Sequence, residues 1–187
     1  MHLLVGLGNP GKDYEKTRHN VGFMVIDRLV DSYCFSTPKT KFHGTLSEGL
    51  IEGEKVLAAK PNTFMNRSGL CVGEIVKFYK IPLENIIVFH DEIDLVFSKL
   101  RVKIGGGHGG HNGLRDIDAK IGKDYKRIRI GVGHPGDKDK VSGYVLNNFS
   151  KDEQPTVEKL IDNICSNMPL LLKSDDSLFM TRISESS

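Results

Sequence analysis

The chain has 187 residues, a net charge of +2 and 39% apolar content, enough for a real hydrophobic core in one compact domain. No stretch approaches the roughly 18 apolar residues of a membrane span, and the first residues enter an apolar strand with no basic, signal-like leader. Three cysteines (Cys34, Cys71, Cys165) stand far apart, odd in number and outside any C-x-x-C, which predicts reduced thiols in a cytoplasmic protein.

Residues 2–7 form the first predicted strand, and glycines 6, 8 and 11 then spell G-x-G-x-x-G. A dinucleotide fingerprint needs a helix directly after the turn and an acidic residue on a second strand about 20 positions on. Here "KDYEKTRHN" has no apolar period. Val21, Met24, Val25, Ile26, Leu29 and Val30 are spaced for a helix over about 20–33, which puts Asp27 and Asp31 on that helix. The spacing argues for another use of the loop.

Strands 43–51 and 54–60 flank "EGE" as a hairpin. "PNTFMNRSG" feeds a helix over 66–80 with Asn66 near its N-cap. The run "IIVFHDE", with its strand at 85–90, ends in polar residues, as a buried central strand does where a ligand crevice opens. A strand at 99–104, the glycine-rich "GGGHGG", a helix at 111–121, a strand at 126–132 and a helix at 152–173 follow. The tail from about 175 reads as weakly ordered. The pattern predicts a single α/β domain over 1–187 with one mixed, mostly parallel twisted sheet and helices on both faces.

Charge is uneven. Between Lys99 and Lys140 there are eleven Lys/Arg against five Asp/Glu, whereas the rest of the chain is slightly acidic, a polarity that favours a polyanionic partner. In "KLRVKI" and "KRIRIGV" basic residues alternate with apolar ones, so Lys99, Arg101 and Lys103 share one face and Arg127 and Arg129 share another. Adjacent strands would merge these rows into a stripe leading to the glycine-rich loop.

Nucleophile signatures are missing: there is no G-x-S-x-G elbow and no cysteine beside a histidine. The glycine-rich loop lacks the G-K-[ST] ending of a nucleoside-triphosphate loop. His90-Asp91 suggests a metal phosphohydrolase, but the further His and Asp ligands such a site needs on helices are lacking. A metal-free hydrolase built on one histidine and one carboxylate is left, with His19 and Asp91 meeting at one sheet edge and asparagines 9, 66 and 112 supplying neutral donors and acceptors. A non-catalytic RNA-binding module using the basic face is the rival from another class.

Five collinear blocks, "VGLGNPGKDYEKTRHNVG", "KPNTFMNRSG", "HDEID", "GGGHGGHNGLRDI" and "RIRIGVGHPGDK", resemble the bacterial peptidyl-tRNA hydrolase family over residues 3 to about 150. The resemblance implies cleavage of the ester between a peptide and the terminal ribose of tRNA. It implies peptidyl-tRNA, held by its acceptor stem and 3′ end, as partner. No metal, organic cofactor, membrane or obligate protein partner is implied, and the protein is expected to be a monomer. By matched position, His19 is the catalytic base, Asp91 supports its basic form, and Asn9 distinguishes blocked from free aminoacyl groups. Tyr14, Phe64, Asn66 and Asn112 contact the tRNA 3′ end or its peptide, Met65 and His111 line the same site, and Lys103 and Arg129 hold a tRNA phosphate.

Overall fold

The computed structural model describes residues 1–186, so Ser187, the last residue of the expected domain, lies outside the described residues. The strands are β1 (His2–Gly6), β2 (Lys39–Lys41), β3 (Gly44–Ile51), β4 (Glu54–Pro61), β5 (Ile86–Glu92), β6 (Leu100–Ile104) and β7 (Lys126–Gly131). They form one seven-stranded sheet in the order β2-β3-β4-β1-β5-β7-β6. The four central strands β4, β1, β5 and β7 run parallel, and β2, β3 and β6 add antiparallel pairs at the flanks. Parallel pairing is thus three of the six strand pairs rather than most of them, because β2 on β3, the β3–β4 hairpin and the returning β6 each contribute an antiparallel pair. Between β3 and β4, Glu52 and Gly53 both take positive φ, the twist a two-residue hairpin turn requires.

Side-chain alternation along the central strands builds two cores. Leu4, Ile87 and Phe89 face one layer, made by α1 (Val21–Ser32), α5 (Gln154–Ser166), α6 (Met168–Leu172) and α7 (Asp176–Glu185). Leu3, Val5, Ile86 and Val88 face the other, made by α2 (Ser68–Tyr79) and α3 (Asn112–Ile121). Helices therefore cover both faces, and the strand run "IIVFH" is buried throughout. A short α4 (Val141–Val145) follows β7. Cys71 and Cys165 are buried and Cys34 is exposed, all three unbridged; burial pushes the two interior thiols up to about 12.

The C-terminal third departs from expectation twice. The predicted helix over 152–173 is two helices. Pro169 has no N–H to continue the ladder, and the Cys165 carbonyl it leaves without that donor accepts the Tyr33 hydroxyl at 2.7 Å. The tail expected to be weakly ordered forms α7, with Phe179 and Ile183 buried in the α1-side core. Its start is anchored by Lys126, buried on β7, whose ammonium donates to Asp176 at 2.6 Å. Among the described residues no helix is long and apolar enough to cross a membrane.

Candidate active site

The opening glycines serve close packing. A Cβ on Gly6 would lie 2.1 Å from the Gly22 carbonyl oxygen, and one on Gly8 would lie 2.7 Å from the Phe23 ring. Gly11, at φ 113°, turns the chain where an L side chain is strained. This lets α1 seat directly behind β1 and delivers Asn9 and His19 to the same strand edge. The Asn9 backbone N–H donates to Asn20 Oδ1, and Asn20 Nδ2 donates back to the Asn9 carbonyl, both at 2.9 Å. Asn9 Oδ1 accepts the Met65 backbone N–H at 2.7 Å. That bond fixes the amide orientation and leaves Nδ2 as a free donor pair with no protein acceptor among the described residues.

His19 sits in a 3-10 turn, Arg18–Asn20, just before α1. Arg18 clamps the turn from behind: it pairs with Glu153 at 3.0 Å, donates to the Tyr144 carbonyl and stacks over the Tyr144 ring at 4.2 Å. His19 Nδ1 meets Asp91 Oδ2 at 2.8 Å, at the polar end of β5. Burial works to lower the His19 pKa, but the charge and hydrogen bond of Asp91 together outweigh it and raise it above the ordinary 6.5.

Asp91 has a second partner. His111 Nε2 meets its other oxygen, Oδ1, at 2.8 Å. His111 is also the N-cap of α3, where its Nδ1 accepts from the Gly113 and Leu114 N–H groups at 3.2 and 3.3 Å. Because Nδ1 must present its lone pair to those donors, Nε2 carries the proton and donates to Asp91. Burial alone would make the Asp91 carboxylate hard to ionise, yet the two histidines, by charge and by hydrogen bond, hold it well below the usual carboxylate range. His90, next along the strand, is fully buried; its Nδ1 donates to the Asp91 carbonyl at 2.7 Å, and its ring packs edge-on against His111. Burial, followed by proximity to His111, pushes His90 down to about 3, so it stays neutral.

The donor atoms of His19, Asp91 and His111 lie within 4.8 Å of one another. They fit a hydrogen-bonded triad better than a metal centre: both imidazoles aim at the carboxylate itself, and His111 has no lone pair left to give. His90 and Asp91 do not form the ligand couple weighed from sequence, since His90 spends one nitrogen on the backbone and both Asp91 oxygens are taken.

Among the described residues, none of the remaining expected residues hydrogen-bonds to this triad. Met65 is buried, and its sulfur lies beside Gly113, next to the His111 ring. Phe64 is exposed on the approach to the 3-10 turn Met65–Arg67. Asn66 lies in that turn with its side chain exposed, and α2 starts only at Ser68, so Asn66 is not its cap. Asn112 is the exposed first residue of α3, and Tyr14 is half-buried at the end of the 3-10 turn Lys12–Tyr14.

The basic rows on β6 and β7 do adjoin, with Arg101 opposite Arg129 and Lys103 opposite Arg127. They are not one free stripe. Arg127 is buried and donates to the Gly105 and Gly107 carbonyls at 2.6 and 2.9 Å, fastening the glycine-rich loop. Arg129 donates to Glu92 at 2.9 Å. Ile104, expected in the buried row, is 61% exposed. Lys103 remains outward, its ammonium close to Gly106. Sequence reasoning missed the Arg127 and Lys126 roles and the His111–Asp91 bond. The H-x-x-H-N-G run before a helix holds the only available signal for the last of these.

Residues 3–187 match the family model described as peptidyl-tRNA hydrolase. The chain is 54% identical to the peptidyl-tRNA hydrolase of Rhodospirillum centenum, covering 98% of this chain and 81% of that one. It is 51% identical to that of Bartonella quintana, covering 99% and 96%. The crystal structure of peptidyl-tRNA hydrolase from Acinetobacter baumannii superposes with a TM-score of 0.93 at 46% identity, covering 98% of this chain and 94% of that one. With its mixed sheet, its strand-end triad and likeness of this extent, the chain belongs to the peptidyl-tRNA hydrolase family.

Proposed function

We propose that this protein hydrolyses the ester joining a peptide, or an N-blocked aminoacyl group, to the 3′-terminal ribose of tRNA. We further propose that it works as a cytoplasmic monomer with no metal and no obligate protein partner. The observation that carries the mechanism is the unequal sharing of Asp91. His111 is fixed as a donor through Nε2, whereas His19 donates through Nδ1 and keeps its Nε2 lone pair. That nitrogen takes a proton from water as the water attacks the ester carbonyl, and Asp91 stabilises the imidazolium that forms. The proton then passes to the departing ribose 3′-oxygen.

Selectivity rests on Asn9. With its oxygen spent on Met65, it offers only N–H donors. A donor pair suits the carbonyl of an N-blocking acyl group and faces a free ammonium donor to donor, so free aminoacyl-tRNA is disfavoured. Asn66 and Asn112 position peptide and water and stabilise the tetrahedral oxyanion. The exposed Phe64 ring and Tyr14 hold the 3′ end, Met65 and His111 line the pocket, and Lys103 and Arg129 hold a phosphate farther along the acceptor stem. Incubation with N-acetyl-aminoacyl-tRNA tests the reading: deacylated tRNA should accumulate with chelator present, and absence of release would overturn it.

A further inference from the structure

His19 is held at both of its chain neighbours. On one side, the Asn20 side chain is tied to the Asn9 backbone. On the other, residues 16–18 lie antiparallel to 147–149, with a bridge between Thr17 and Asn148. The Arg18 N–H donates to the Asn147 carbonyl at 3.0 Å, and the Phe149 N–H donates to the Lys16 carbonyl at 3.2 Å. The turn that carries His19 is therefore fastened to the segment joining α4 to α5, far along the chain.

The Arg18 side chain makes that fastening directional. Its fork spans the segment, Nη1 donating to the Tyr144 carbonyl at 3.2 Å and Nη2 to Glu153 Oε1 at 3.0 Å. The guanidinium lies over the Tyr144 ring, and the Tyr144 hydroxyl in turn donates to the Val132 carbonyl just beyond β7. With the Arg18 and Glu153 side chains 11% and 20% exposed, the pair is screened less than one on the surface. Glu153 also closes the turn into α5: its Oε1 accepts the Ser150 N–H at 2.8 Å, and its own N–H donates to Ser150 Oγ at 3.2 Å. One carboxylate oxygen thus serves both the start of α5 and the turn of the base. A base must stand within reach of both its water and its orienting carboxylate, and a small misplacement lowers turnover steeply.

We propose that Arg18 and Glu153 are positioning residues for the hydrolysis: through them the segment 144–153 sets where the His19 imidazole stands against Asp91. The inference rests on the hydrolase reading above. Its test measures kcat and KM on N-acetyl-aminoacyl-tRNA, together with melting temperature, for Glu153→Gln and Arg18→Lys. Each substitution is made in the wild-type protein and again beside His19→Ala. Glutamine still accepts the Ser150 N–H, so the start of α5 survives while the charge facing Arg18 is lost. In Glu153→Gln kcat should fall about three- to tenfold, with KM changed less than about twofold and the melting temperature close to wild type. Arg18→Lys keeps the charge but loses the fork, and kcat should fall about tenfold or more. Beside His19→Ala, either substitution should change the residual turnover by less than about twofold, because the group they position is gone. An unchanged kcat in Glu153→Gln would overturn the assignment, whether or not Arg18→Lys folds. So would the same fractional loss with and without His19. Failure of the wild-type protein to release tRNA would instead overturn the hydrolase reading, and this inference with it.

Discussion

Two segments reach Asp91 from opposite sides and do different things with the same residue type. The 3-10 turn Arg18–Asn20 brings His19, and the segment 105–114 brings His111, each at 2.8 Å from one carboxylate oxygen. On the first side the backbone is clamped by Arg18, while the outer imidazole nitrogen of His19 has no hydrogen-bond partner among the described residues. On the second side the outer nitrogen is consumed by the start of α3, and the preceding glycine loop is fastened by Arg127. A histidine becomes a base or a prop according to what its second nitrogen meets.

Substitutions can break or sharpen this contrast. His19→Ala removes the imidazole nitrogen of the triad that is not spent on Asp91 or the α3 cap, and should lower turnover by about 10²–10⁴-fold with the fold intact. Near-wild-type turnover in a folded protein would erase the distinction between the two sides. Asp91→Asn leaves both rings in place but takes away the charge that stabilises the imidazolium, so turnover at neutral pH should fall by about 10–10²-fold. Asn9→Asp keeps an oxygen for the Met65 N–H and exchanges the free donor pair for an acceptor. The ratio of rates on N-acetyl-aminoacyl- and free aminoacyl-tRNA should fall by about tenfold, and a constant ratio with lowered stability would make Asn9 a turn residue only.

The second side should respond more mildly. His111→Asn keeps a side-chain acceptor for the cap of α3 but loses the nitrogen that donates to Asp91. The carboxylate then acts on His19 alone, so the acidic limb of the pH profile should move upward and turnover fall by only several-fold; an unmoved limb would reduce His111 to a cap. Lys103→Ala should leave kcat almost unchanged, raise KM for intact tRNA substrate and flatten the log–log salt slope by about 0.7–0.9. Equal losses on a minimal 3′-terminal substrate would tie Lys103 to the fold instead.

What the sequence made legible follows the same division. Continuous or periodic apolar runs located β1, β5, α1 and α3 to within a residue or two at most ends, and with them the strand edge where His19 and Asp91 meet. Short segments held by tertiary bonds were not legible. β2 has three exposed residues and exists because β3 pairs with it. α7 has a polar sequence with few apolar anchors and depends on a lysine buried some fifty positions earlier. The inward turn of Arg127 answers orphan carbonyls of a glycine loop, a demand that alternation along a strand does not reveal.

The central claim is that Asp91 raises the basicity of His19 and that neutral His19 does the chemistry. The most direct measurement is the pH dependence of kcat/KM on N-acetyl-aminoacyl-tRNA for the wild-type protein and Asp91→Asn. His19 acts only when unprotonated, and its pKa is raised in the folded protein, so wild-type activity should climb through an apparent pKa above 6.5. Without the carboxylate the charged form loses its support, and the limb should move to lower pH beneath a lower plateau. A limb at the same pH in both proteins, with a plateau near wild type, would contradict the account.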